Sequence, residues 1–323
     1  MVLIPALAIS GEAGYSVVDR IPGPDGGYDY ISVDSANHRV FVARTNGVMT
    51  IDLATRRVIP TVVTGEGVAA VAMIAGTDLM LATNGDSETA TLFDRNSGAV
   101  KALIPTGKEP DAALFDAASG LAFVMNWGSE DVTVINVASA TVVATIAVGG
   151  KPEAATLDGD GHMFVNILDT AEIVVIDVGE RKVVRRYPLP GCKEPTGIAY
   201  DPASNLLISA CHNGTAKLID AGTGADRGSV RIGQGADGAI FDARRRLVYI
   251  SCFDGTIAIF PLEHDGRPGV VTTVNTQQGA RTSALDGETG RLYLPTTEYR
   301  KDSEGQRHRV PGTFMVLVVA PSG

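Results

Sequence analysis

A short pattern returns seven times along this chain at nearly even spacing, and it restricts the fold more than any other feature. Its copies are Gly27–Val33, Gly67–Met73, Glu109–Phe115, Lys151–Leu157, Glu194–Tyr200, Gly235–Phe241 and Gly279–Leu285. The third residue of each copy falls at 29, 69, 111, 153, 196, 237 and 281, at intervals of 40 to 44 residues. Each unit holds four short strand signals, and that period with that content indicates a β-propeller rather than a solenoid. In the third unit the predicted strands are Asp111–Phe115, Leu121–Asn126, Asp131–Val137 and Thr141–Val148, with Asp116–Gly120 as the first turn. Small residues early in the first strand (Ala112, Ala113, Ala154, Ala155, Gly197, Gly238) suit the crowded inner edge where blades converge. The second and third strands carry the larger β-branched and aromatic residues that fill the space between blades.

The two ends of the chain complement each other. The last unit has predicted strands at Thr282–Leu285, Arg291–Thr296 and Thr313–Ala320 and lacks a fourth. Tyr15–Ile21 precedes the first unit and has no blade of its own, so it is expected to complete blade seven and remove an exposed edge. The expected organisation is all-β: one seven-bladed β-propeller of four-stranded antiparallel blades over residues 15–321, preceded by a lead-in at 1–14. In that lead-in Val2–Ile9 is a short apolar run and Ala8-Ile9-Ser10 resembles a signal-peptidase site. It reads either as the remnant of a trimmed signal peptide or as an apolar approach to the first strand.

Phe123-Val124-Met125-Asn126 stands where Tyr-Val-Thr-Asn stands in the YVTN repeat, followed by Val142–Ile146, Val148-Gly149 and Pro152 at matching places. From about residue 15 to 320 the chain resembles the YncE-like seven-bladed bacterial proteins. That resemblance implies export to the periplasm or cell surface. It implies little chemistry, although lactonases share the ring architecture.

Charge narrows the partners. Lys and Arg number 27 against 37 Asp and Glu, a net charge of −10, which disfavours nucleic acid and anionic membranes. The one compact basic cluster, Arg300, Lys301, Arg307, His308 and Arg309, is interleaved with acids and reads as a solvated loop. No apolar run approaches the roughly 20 residues needed to span a bilayer. The three cysteines, Cys192, Cys211 and Cys252, fit no zinc or redox spacing. Cys192 precedes the first strand of blade five and Cys211 ends the second, so the two are expected near the same rim. They form either a disulfide, if the compartment is oxidising, or two buried thiols; Cys252 is expected to be free.

In a propeller the starts of the innermost strands form a ring at the channel mouth, here Asp29, Ala69, Asp111, Glu153, Thr196, Asp237 and Arg281. Carboxylates held close raise one another's pKa or recruit a cation. Asp29, Asp111 and Glu153 are therefore candidate ligands for a divalent cation, calcium or magnesium. The ends of the second strands add Asn84, Asn126, Asn166 and His212, with Glu194 just before Thr196. Asp29, Asp111, Asn126, Glu153, Asn166, Glu194 and Asp237 are thus candidate ligand-binding residues. His212 is a candidate general base and Arg281 a candidate oxyanion stabiliser. The structural alternative is that acids and asparagines at these places bond to turn amides and stitch blades together. His38, His162 and His264 have no neighbour at metal or triad spacing, and no nucleophile elbow, P-loop or dinucleotide fingerprint occurs. The polar connection Glu298–Gly312 is unusually long and reads as a lid over the mouth or as a disordered segment.

Two functions follow. One is a periplasmic or secreted binding or scaffold protein whose acidic rim takes a small polar ligand, a metal or a protein partner. The other is a metal-assisted, lactonase-like hydrolase. Convergence of His212, Arg281 and two or more carboxylates would favour the second; separate engagement of each within its own blade would favour the first.

Overall fold

The computed structural model describes residues 14–322; the lead-in reading of residues 1–14 falls almost wholly outside them. Seven four-stranded antiparallel sheets follow one another around a ring, with strands A to D of each blade running outward from the channel. Blade three has strands Pro110–Asp116, Leu121–Asn126, Asp131–Asn136 and Thr141–Ala147, within a residue of the sequence expectation at each end. Blade seven is built from Ala284–Asp286, Arg291–Thr296 and Met315–Pro321, with Tyr15–Pro22 as its outermost strand. That strand pairs antiparallel with Met315–Pro321, so the chain ends close the ring between them. No helix among the described residues is long and apolar enough to cross a membrane.

The core is divided as the ring geometry demands. Seven hydrophobic clusters occupy the seven interfaces between neighbouring blades. Phe41, Ala43 and Val48 of blade one meet Val68, Val71 and Phe93 of blade two, for example. The seven–one interface packs Tyr293, Phe314 and Val316 on Val40, Val42 and Met49. Strands B and C are buried on both faces, so they read as continuous apolar runs such as Leu121–Asn126 rather than as alternation. Strand D faces solvent, and along Thr141–Ala147 only Ile146 is buried.

One irregularity recurs and positions the site. In blades one to six the A–B register shifts near the start of strand A, between Pro110 and Ala113 in blade three and at equivalent places in the others. A β-bulge of this kind places two residues opposite one, bends the strand and re-aims a side chain. The ring position lies inside each bulge, so Asp29, Asp111, Glu153 and Asp237 turn toward the channel. Backbone carbonyls at the ring positions take bonds from neighbouring blades. Thr83 Oγ1 donates to the Asp111 carbonyl at 2.7 Å, and Ser251 Oγ donates to that of Arg281 at 2.6 Å. Thr282 Oγ1 reaches the Asp29 carbonyl at 2.8 Å and ties blade seven to blade one. Buried backbone groups are thereby satisfied across blades.

Candidate ligand site at the channel mouth

The mouth encloses a cavity of about 130 Å³ bordered by Asp29, Asp111, Glu153, Asp237, Arg281 and His212, together with Tyr30, Leu168 and Thr196. Arg281 precedes the short strand A of blade seven and reaches across the mouth. Its Nε lies 2.9 Å from Asp237 Oδ2 and its Nη2 3.3 Å from Asp29 Oδ2. Two carboxylates therefore clamp the one guanidinium, and their charge raises its pKa further above the ordinary value.

The other two acids are left over. Neither the Asp111 nor the Glu153 carboxyl takes a hydrogen bond or an ion pair from the described residues, and Glu153 is only 8% exposed. Burial is the chief reason that Asp111 rises to about 8, with Asp29 and Asp237 adding like-charge repulsion. Glu153 rises to about 9 by burial first, then by the fields of Asp111, Asp237 and Asp29. Burial raises Asp29 to about 6, with the Arg281 charge opposing it. At neutral pH the mouth thus holds an Asp29–Arg281–Asp237 ion triad beside two carboxyls kept protonated by their surroundings. Tyr30 stands where the other blades carry Ala, Gly or Thr. Its hydroxyl is buried without a partner, and burial pushes its pKa well up. The same tyrosine borders a deeper channel cavity lined by Ala70, Ala112 and Ala154.

The remaining predicted residues separate into two groups. His212 and Glu194 face each other at the rim, with His212 Nδ1 donating to Glu194 Oε2 at 2.9 Å. Asn126 and Asn166 do not reach the cavity, which corrects their expected ligand role. Asn126 is fully buried and its amide donates to Asp131 Oδ1 at 2.6 Å and Thr133 Oγ1 at 2.8 Å within its own blade. Asn84 bonds Thr89 and Thr91 in the same way. Asn166 is not its counterpart: Ile167, not Asn166, pairs with the start of strand A in blade four, as Asn126 does in blade three. One residue of offset turns a side chain to the opposite face. The Asn166 amide accordingly stitches blade four to blade five through the carbonyls of Thr196 and Gly197, at 2.9 and 3.0 Å.

The expected divalent-cation set also misses its geometry. No three His, Cys, Asp or Glu side chains among the described residues converge closely enough to hold a metal ion. Asp29 is engaged by Arg281, and Asp111 and Glu153 are left without a third donor.

Beside His212, residues that sequence reasoning passed over border the site at the same position, immediately after strand B. Leu168 and His212 occupy it at the cavity itself. Trp127 occupies it beside an annex of about 280 Å³ bordered by Ala69, Pro110, Asp111 and Glu153. Phe253 occupies it in a groove of about 330 Å³ shared with His212, Arg281 and Arg307. The long connection of blade seven is an ordered hairpin, Tyr299–Lys301 paired with Arg307–Arg309, set against the rim of that groove. Tyr299 Oη lies 3.1 Å from Tyr28 Oη, the Tyr299 ring packs on Phe253, and Arg307 stands over Phe253 at 5.1 Å. Cys192 and Cys211 form a disulfide with Cα atoms 5.5 Å apart, and Cys252 is a buried free thiol.

No family model matches the chain, and no curated protein matches it in sequence. Solved structures do match in shape. RRP9 WD40 repeats superpose with a TM-score of 0.78 at 12% identity, covering 96% of this chain and 98% of that one. A chain of a mitotic checkpoint complex superposes with a TM-score of 0.77 at 12% identity, covering 95% and 92%. Hydrazine synthase of Kuenenia stuttgartiensis gives a TM-score of 0.71 at 14% identity, covering 90% and 96%. At so low an identity the likeness shows fold alone, and that fold is the seven-bladed β-propeller.

Proposed function

We propose that this protein is an exported, non-catalytic binding propeller of the YncE-like kind that takes a small positively charged ligand at its channel mouth. The observation that carries this reading is the pair Asp111 and Glu153. Both are desolvated and unpaired, while the nearby guanidinium is already held by two other acids. An incoming cation would supply the missing partner and allow both carboxyls to ionise. The Cys192–Cys211 disulfide supports an oxidising location such as the periplasm. The same rim suits a basic side chain presented by a protein partner as well as a free small molecule.

A hydrolase is the second reading, favoured by one feature: the His212 imidazole is oriented by Glu194 and borders the cavity, as a general base would. Against it, Arg281 is neutralised by Asp29 and Asp237, so a developing oxyanion would compete with two carboxylates for it.

Thermal melts at pH 7.5 with calcium, magnesium, spermidine and ethylammonium, set against acetate and phosphate, test the first reading. Cation-specific stabilisation that Glu153→Gln loses is the expected result. Absence of stabilisation by every cation, or equal stabilisation of the variant, would overturn it.

A further inference from the structure

Trp127 is the only tryptophan in the chain, and it stands beside the two unpaired acids. Its annex adjoins the acidic cavity, and Asp111 and Glu153 border both. Ala69, Pro110 and the indole give the annex an apolar wall, and Glu109 is a further acid on its lining beside Asp111 and Glu153. The indole already receives a cation: Lys151 Nζ lies 3.5 Å from the ring centroid. No carboxylate of the described residues pairs with that ammonium, so the aromatic face is its main polar contact. Attraction between an ammonium and an indole face is among the stronger cation–π contacts.

We infer that the ligand is an organic ammonium ion, its charge at Asp111 and Glu153 and its alkyl or aromatic body against Trp127. This inference rests on the cation-binding reading and narrows it. A hydrated metal ion would gain nothing from an apolar annex and finds no convergent donor set here. An alkylammonium gains from both halves: buried carboxyls for the charge, and apolar wall and indole for the carbon atoms. Lys151 acts as an internal competitor, since a second cation near the indole meets a like charge on the same ring.

The single tryptophan makes the test local. Butylammonium and tetramethylammonium are titrated into the intact protein, with potassium and calcium as controls, following tryptophan emission and heat together. The expected result is a saturable change in emission with the alkylammonium ions and none with the controls. Lys151→Met should tighten butylammonium binding about fivefold, the order expected for removing one cation–π competitor, and Glu153→Gln should abolish it. Heat of butylammonium binding with unchanged emission, or unchanged affinity in Lys151→Met, would overturn the inference; a cation would then bind in the acidic cavity alone and the broader reading would stand. Absence of both heat and emission change with every amine would overturn it as well, and the cation melts would then decide the broader reading separately.

Discussion

Strand A carries acids at both of its ends, and the two rims treat them in opposite ways. At the rim where strand A turns into strand B, Asp34, Asp116, Asp158, Asp201, Asp242 and Asp286 occupy the same place in six blades. All of them are satisfied. Asp201 accepts two bonds from Arg246 at 2.6 and 2.7 Å, and Asp242 accepts from Arg245 at 2.8 Å. Asp286 accepts from Thr289 at 2.6 Å, Asp116 from Ser119, and Asp158 from the backbone and ring of His162. For Asp201 and Asp286 these bonds outweigh burial and hold the carboxyl below its ordinary range. At the mouth, Asp111 and Glu153 have burial without bonds and move the other way. Acids thus serve the fold along one rim, whereas on the other Asp29 and Asp237 hold Arg281 and only Asp111 and Glu153 are left without a partner. Carboxyls that face a cavity without a protein partner and have strongly raised pKa values mark a candidate functional site.

The contrast can be broken first at its structural end. Asp201→Ala removes the bidentate partner of Arg246, whose guanidinium keeps its bonds to the Leu262 and Glu263 carbonyls, and loss of the two charge-assisted bonds should cost about 3 kcal/mol. Chemical denaturation should show that loss, whereas Asp111→Asn should be neutral or stabilising. Reducing the Cys192–Cys211 bridge, or replacing both cysteines with alanine, opens a loop of 19 residues and should cost roughly 3 kcal/mol in the chain-entropy account.

The pH dependence sharpens the contrast next. Asp111 and Glu153 have folded pKa values above their ordinary 3.8 and 4.5, so the native state binds protons more tightly than the unfolded chain. Their contribution is complete below about pH 4 and is lost as pH rises toward 8 and 9. Stability should therefore fall between pH 5 and 9, with burial the main cause and the charges of Asp29, Asp237 and Arg281 modulating it. Glu153→Gln should flatten that fall and be more stable than the wild type at pH 9 by about 1–2 kcal/mol. Asp201 and Asp286 act with the opposite sign and only in acid, as pH drops through their lowered values. The smallest effect is expected at the hairpin. Tyr299→Phe removes one hydroxyl contact to Tyr28 and should cost about 0.5–1 kcal/mol while leaving the fold intact.

Much of this was legible in the residues, and what was hidden has physical causes. Period and turn chemistry place the blades, and the strand B expectation Leu121–Asn126 coincides with the structure. The missing fourth strand of blade seven points directly to Tyr15–Pro22. The ring of first-strand positions also lies where repetition puts it, because the copies in blades one to six carry the same bulge. Asn166 is misread because Phe164-Val165-Asn166 lacks one residue of Phe123–Asn126, and a period-two strand turns that offset into a change of face. The Arg281 clamp joins residues 252 apart in sequence, so only ring closure reveals it. Trp127 and Phe253 escape notice because the position after strand B varies from blade to blade, and a lone aromatic there resembles a turn residue.

The central claim is that Asp111 and Glu153 are held protonated until a cation arrives. Calorimetric titration of butylammonium at pH 7.5, in two buffers of different ionisation enthalpy, measures the protons released on binding. The account predicts release of roughly one to two protons per cation bound as both carboxyls, raised to about 8 and 9, ionise, and loss of binding in Glu153→Gln. Binding without proton release, and equal binding by Glu153→Gln, would contradict it.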